Sequence, residues 1–302
     1  MLGSPTLQTR RTLGDTILLI LQQAIGSSTH LVAQHVLHQL LPTTALLWRG
    51  MFAATGSLAW LLWRNRLGTL VRSMGTQEAL LVLLLGAFAV PLNQWCFFAG
   101  VQLTTAANAS LFYALTPVWA LLLSRILRRE ALSAQKTFGI TAALLGVGLV
   151  LAEKDFAFSP EHVLGNVLLL SASLAWAGFT VLSQLLPRHY DALSTTALSM
   201  LTGWLLYLPV WIALGAPLQL EQLHPTLWAE LLYMGVITSG VGYLLWLIPL
   251  HRMVPSRVAI FSTLQPLLTT LAAVPLFGFV PSISFLAGGG LILIGIALTQ
   301  LG

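Results

Sequence analysis

Ten apolar runs follow one another along this 302-residue chain, each near the length that crosses a bilayer and separated only by short polar breaks. At 1.5 Å of rise per residue, about 20 mostly apolar residues span a hydrocarbon core of roughly 30 Å. The runs begin near Thr16, Pro42, Gln77, Thr104, Ala134, His162, Ala192, Thr226, Pro255 and Ser282. Only 8% of the residues are charged and 57% are hydrophobic. A soluble domain carries roughly a quarter of its residues as Asp, Glu, Lys and Arg, so this chain cannot clothe a water-facing surface. The reading is an all-α integral membrane protein of ten transmembrane helices joined by loops of a few residues, with no soluble domain.

The charges that remain set the orientation. A net charge of +5 could suggest nucleic acid in a soluble chain, but here the cations lie in loops between spans. With a cytoplasmic N-terminus, the inner segments hold Arg10, Arg11, Arg64, Arg66, Arg72, Arg125, Arg128, Arg129, Lys136, Arg188, Arg252 and Arg257. The outer loops hold Lys154 alone, beside Glu153, Asp155, Glu161, Glu221 and Glu230. The positive-inside rule therefore predicts a multi-pass protein of the plasma or inner membrane with both termini cytoplasmic. The single cysteine, Cys96, excludes an intramolecular disulfide and a cysteine-based metal cluster. The first run contains two glutamines and a histidine and precedes nine more, so it reads as a span rather than a cleavable signal. The expected partners are the lipid bilayer and a small-molecule substrate, with no nucleic acid and no cofactor, in a monomer or homodimer.

An internal repeat organises the spans. A shift of 149 residues places Pro266 on Pro117, Gly235 on Gly86, Phe261 on Phe112, Gly288 on Gly139 and Gly295 on Gly146. Leu13-Gly14-Asp15 matches Leu164-Gly165-Asn166 at a shift of 151, so the first two spans of each half differ by small insertions. Five spans per copy is an odd number, so the second copy must enter the membrane from the opposite side. The chain is thus expected to be two inverted five-helix repeats, 1–155 and 156–302, forming one membrane domain. In such architectures substrate sits near the midplane where the repeats meet.

The run from Ala106 through Asn108, Tyr113 and Thr116 to Pro117, followed by Arg129-Glu130, Ser133, Gln135, Gly139 and Gly146-Val-Gly148, resembles the end of an EamA-type repeat of the drug/metabolite transporter superfamily. Gly242-Tyr243, Pro255-Ser256, Pro266, Gly288 and Gly295 fit the same pattern in the second half, although Phe279 stands where the first half has Glu130. The resemblance implies a transporter of amino acids, related metabolites or drugs, and export as its direction. It does not name the substrate.

Polar groups at mid-depth are costly in lipid and mark the candidate site. In the first span Gln23, Ser27, His30, Gln34 and His38 form one helical face. That face reads either as a substrate-contacting wall or as interhelical hydrogen bonding, and Ser173, Trp176, Thr180 and Gln184 form a counterpart in the sixth span. Asn93, Gln94 and Trp95 follow Pro91, where the third span can kink. Gly242 and Tyr243 occupy the matching positions, with Trp246 one turn on. Tyr113 precedes Pro117 by a turn, and Gln265 precedes Pro266. Arg49 is the basic residue set deepest in a span, about 10 Å inside Pro42. It can hold a substrate carboxylate or snorkel and brace helices. The expected substrate-binding set is therefore His30, Gln34, Arg49, Asn93, Gln94, Trp95, Tyr113, Trp176, Gln184, Tyr243, Trp246 and Gln265.

The same census shapes the mechanism. One buried cation does not suit a nucleotide sugar or phosphate ester, which would call for several. No acid lies mid-span, so a carboxylate proton relay is unsupported, and His30 is read as a hydrogen-bonding group rather than a coupling site. His35 and His38 lack further ligands in their segment, and no metal is expected. An intramembrane enzyme would need a nucleophile with a base, paired carboxylates or a metal set, none of which is visible. The chain is accordingly read as no enzyme but an alternating-access carrier of amino acids or similar metabolites, with broad-range efflux of drugs or amphiphiles as the alternative.

Overall fold

The computed structural model describes residues 5–127, 130–131, 133–151, 160–277 and 282–301. Among these, eight helices are long and apolar enough to cross a membrane. In chain order the helices are α1 (Pro5–Leu37), α2 (Pro42–Trp63), α3 (Arg66–Ser73), α4 (Thr76–Leu103), α5 (Ala106–Leu127) and α6 (Ala134–Leu151). They continue with α7 (Pro160–Ser183), α8 (Ala192–Ala213), α9 (Pro225–Leu250), α10 (residues 255–277) and α11 (Ile283–Leu301). The eight exclude α3, which is short and was expected to be loop, α6, whose apolar part is Ala134–Val150, and α10, which a 3-10 turn at Ile260–Thr263 divides. Glu153, Lys154, Asp155, Arg128, Arg129 and Phe279 lie outside the described residues.

Local chemistry sets the starts of these helices. Pro42, Pro225 and Pro255 occupy the first turn, where a missing N–H is harmless. Asp191 Oδ1 accepts from Ser194 N at 2.7 Å, and Thr105 Oγ1 accepts from Asn108 N at 3.1 Å, capping α8 and α5. The burial pattern is that of a membrane protein. On α1 the exposed face is Leu13, Ile17, Ile20 and Leu21, while Asp15, Gln22, Gln23 and His30 are buried. With lipid outside, apolar burial does not drive the helices together, and close packing and hydrogen bonds must do so.

The packing contacts come in reciprocal pairs. Between α6 and α11 a Cβ on Gly146 would meet Gly288 O at 2.5 Å, and one on Gly288 would meet Gly146 O at 2.7 Å. Gly139 and Gly295 repeat the arrangement, at 2.8 and 2.5 Å from each other's carbonyl. Only residues without a Cβ allow such an approach. In the same way Gly86 of α4 packs against Gly203 of α8, and Gly235 of α9 packs against Arg49 O and Ala53 N of α2. Each contact maps onto the other when the halves are exchanged.

Two opposite ends of the bundle differ in charge. At one end Arg252 meets Asp15 at 2.8 Å, Arg66 approaches Asp191 at 3.9 Å, and Tyr190 donates to Glu78 at 2.9 Å. Buried Glu130, part of the family-like motif, accepts there from Lys136 at 3.0 Å and from Ser256, which ties the first half to the start of α10. At the other end His35 meets Glu230 at 2.8 Å, His224 meets Gln39 at 2.7 Å, and Asn108 donates to Asn166 at 2.8 Å. Arg64, Arg66, Arg188 and Arg252 belong to the first end, and the described basic residues of the second are histidines alone.

Candidate functional site

A cavity of about 530 Å³, mouth included, lies at mid-depth between α1, α2, α4, α5, α7, α9 and α10. Two π-helical stretches shape it: Phe88–Gln94 in α4 and Tyr233–Val241 in α9. In α4 the cause is Pro91, which lacks the donor for the regular ladder and forces the turn to widen. The α9 stretch has no proline, so sequence reading finds the first distortion and misses the second. Such wide turns project neighbouring side chains inward, here Asn93 and Gln94 from α4 and Thr238 and Ser239 from α9.

Arg49 is the cavity's cation, and its surroundings are neutral. Its Nε donates to Ser239 Oγ at 3.0 Å and its Nη2 to Thr238 Oγ1 at 3.1 Å, and the guanidinium lies 5.3 Å from the Phe98 ring centre. It is 4% exposed, and among the described residues no carboxylate pairs with it. A buried cation held only by hydroxyls and a ring leaves much of its desolvation uncompensated, and an anionic group in the cavity would supply what is missing. It does not snorkel to an end.

The other polar groups form a network around it. Asn93 Nδ2 donates to Tyr113 Oη at 2.7 Å and to Ala172 O at 2.8 Å, which fixes Tyr113 against α7. Gln94 Nε2 lies 3.4 Å from Tyr243 Oη and 3.5 Å from Ser239 Oγ, and Tyr243 donates to Ala89 O at 3.2 Å. Gln94 and Tyr243 are equivalent positions of the two halves, so this contact sits where the halves meet. His30 Nε2 pairs with Gln265 Oε1 at 3.0 Å and joins α1 to α10. His30 Nδ1 and Gln94 Oε1 are buried without a partner among the described residues. Phe97, Tyr113, Trp176 and Tyr243 supply aromatic faces, with Trp176 and Tyr243 meeting edge to face at 4.8 Å.

Of the residues expected from sequence, His30, Arg49, Asn93, Gln94, Tyr113, Trp176, Tyr243 and Gln265 line this cavity. Gln34 and His38 are exposed, because the cavity lies below the turn at which that face of α1 leaves the bundle. Gln23, Ser27 and His30 of that face are buried, and the residues of α1 that line the cavity are Gln22, Ile25, Gly26, Thr29 and His30. Trp95 packs against the apolar core, its indole nitrogen without a protein partner. Trp246 lies behind Trp176 and donates to Thr180 Oγ1 at 2.9 Å. Gln184 donates to Leu250 O and Met253 O, both at 2.6 Å, at the end of α9. Ser173 and Thr180 also bond within the bundle, to Trp119 and Trp246, which is the interhelical reading of that stripe. Gln22, Ile25, Gly26, Thr29, Phe97 and Thr238 line the cavity without having been singled out. Gln22 and Thr29 had a usable signal, being one residue round the helix from the stripe that was read.

The chain matches the model of the EamA-like transporter family twice, over residues 15–152 and 163–301. Among its relatives, the uncharacterized transporter YyaM of Bacillus subtilis is 24% identical, with 80% of this chain and 79% of that protein covered. An uncharacterized transporter of Archaeoglobus fulgidus is 26% identical across 94% of this chain and 96% of its own. A solved crystal structure superposes with a TM-score of 0.74 at 22% identity, covering 95% of this chain and 96% of the other, and shares the fold. The chain belongs to the EamA-like transporter family and is a multi-pass membrane transporter.

Proposed function

We propose that this transporter moves carboxylate-bearing small metabolites, most closely amino acids and their analogues, by alternating access, and exports them from the cytoplasm. The observation that carries the reading is Arg49: a buried guanidinium in the central cavity with hydroxyl partners and, among the described residues, no acid. The carboxylate completes its coordination, Gln94 Oε1 and His30 Nδ1 offer neutral acceptors for an amino group, and the rings cover the apolar body. A lone guanidinium with no second Lys or Arg in the cavity among the described residues argues against doubly charged phosphate esters.

Ten spans in two inverted five-helix repeats provide the moving parts in this reading. The reciprocal glycine contacts and the twofold family match support that architecture, since exchange of two related halves is how such carriers expose a fixed site to each side. The charge difference between the ends supports a cytoplasmic position for the arginine-rich end. In proteoliposomes, Arg49→Gln should lower uptake of carboxylate substrates at least about twentyfold, with Arg49→Lys intermediate because an ammonium retains charge but not the fork. Undiminished transport by Arg49→Gln would refute the assignment. For orientation, in a Cys96→Ala background Gly68→Cys should be labelled from the cytoplasm and Gln222→Cys from outside, and the opposite pattern would invert the export direction. Broad efflux of amphiphiles, favoured by the aromatic lining, would appear as transport of lipophilic cations, which Arg49 should repel.

A further inference from the structure

Below the central cavity, toward the arginine-rich end, lies a second cavity of about 750 Å³, open mouth included, between the ends of α7 and α9. Ser183, Gln184, Arg188, Leu247, His251 and Arg252 contribute to its wall. Arg188, His251 and Arg252 are exposed, so it opens at that end. Only one layer of side chains separates it from the central cavity. Trp176 and Tyr243 line the upper space, Phe179, Thr180 and Trp246 come a turn later, and Ser183 and Leu247 line the lower one. The layer is filled: Phe179 and Trp246 are fully buried, Trp176 lies 5.5 Å from Phe179 and 5.2 Å from Trp246, and the Trp246 bond to Thr180 ties α9 to α7. One helical turn corresponds to about 5.4 Å.

The lower cavity has the opposite chemistry to the layer above it. Arg188 makes no hydrogen bond or ion pair among the described residues, while Arg252 is balanced by Asp15. Partial burial pushes the His251 imidazole below its usual range, with Asp191 opposing and Arg252 adding to the effect, so the arginines set the charge. The negative end of α9 would offset them, but Gln184 turns its amide onto the terminal carbonyl of Leu250 and onto Met253 O just beyond the helix. The wall is left with one uncompensated cation.

We infer that the cavity beneath the Trp176–Phe179–Trp246 layer is an antechamber that captures the carboxylate of a solute against Arg188 before the layer opens toward Arg49. The inference rests on the carboxylate reading of the central cavity, yet its test does not need the substrate. Val254 lines the antechamber and is exposed, so Val254→Cys in the Cys96→Ala background places a thiol there. In neutral-lipid vesicles the anionic reagent sulfonatoethyl methanethiosulfonate should modify it at least about fivefold faster than the cationic trimethylammonioethyl reagent, each rate normalised to a free thiol, as a positive wall concentrates anions. Arg188→Gln should bring the ratio close to one. Equal rates for the two reagents without that substitution overturn the antechamber and leave the Arg49 reading standing. An anion preference that vanishes when phosphatidylglycerol is included would show that a lipid headgroup fills the cavity, and would overturn solute capture. Loss of transport in Arg49→Gln with the preference intact would separate the two sites in the other direction.

Discussion

The two halves build matching scaffolds and give them different chemistry. In each, a helix of the first half packs on the π-distorted helix of the second, or the reverse: α2 on α9 and α8 on α4. At that contact α2 supplies Arg49, hydrogen-bonded to Ser239, whereas α8 supplies Met200, whose sulfur lies 4.0 Å from Gln94 Nε2. The walls differ in the same sense. α1 presents Gln22, Thr29 and His30 to the cavity, and α7 presents Trp176. Symmetric packing is therefore compatible with an asymmetric site that has a polar, cationic side and an aromatic one. The lesson is that the repeat specifies where a site forms, and the departures from the repeat specify what it binds.

The α6–α11 seam is where the halves should be most alike. Gly146→Ala and Gly288→Ala each thrust a Cβ against the partner's backbone, and each should destabilise by about 1–3 kcal/mol, read as a lower unfolding temperature in detergent. Gly148→Ala faces open space and serves as the control, with little change expected. A loss confined to one half would break the claim of reciprocal packing.

The two walls should respond differently. Trp176→Ala should weaken binding of solutes with large apolar bodies about tenfold, through lost aromatic contact and area, and leave small ones within about twofold. Equal losses across solute sizes would mean that the indole acts through the packing of Phe179 and Tyr243 instead. The smallest effect is expected at His30. As a hydrogen-bonding link to Gln265 it should be replaceable, so His30→Gln should keep downhill flux within about twofold between about pH 6 and 8. Uphill accumulation driven by an imposed pH gradient and abolished by that substitution would make His30 a coupling site.

The helical membrane fold and much of the cavity lining could be read from sequence for one reason: polarity at mid-depth is too costly to face lipid. Arg49, Asn93 and Gln94 point inward for that reason. The expected residues that lie outside the cavity do so where depth and rotation decide. Gln34 shares a helical face with His30 but lies a turn above the cavity, where that face of α1 is already exposed. Gln184 and Trp246 are polar or aromatic at suitable spacing, yet their partners, the Leu250 and Met253 carbonyls and Thr180, come from distant sequence. The π-turn of α9 carries no local signal comparable to Pro91, so Thr238 and Ser239, which hold Arg49, were not visible beforehand.

The central claim is that Arg49 reads a carboxylate, and the direct measurement is equilibrium binding of matched ligands to purified protein. A panel of L-amino acids and their carboxamides, titrated by calorimetry or thermal shift, differs only in the charge at the group Arg49 is proposed to hold. The expected result is a preference for the acids of at least about tenfold, or about 1.4 kcal/mol, which collapses in Arg49→Gln. Carboxamides that bind the wild-type protein as tightly as the acids, or a preference that survives unchanged in Arg49→Gln, would contradict it.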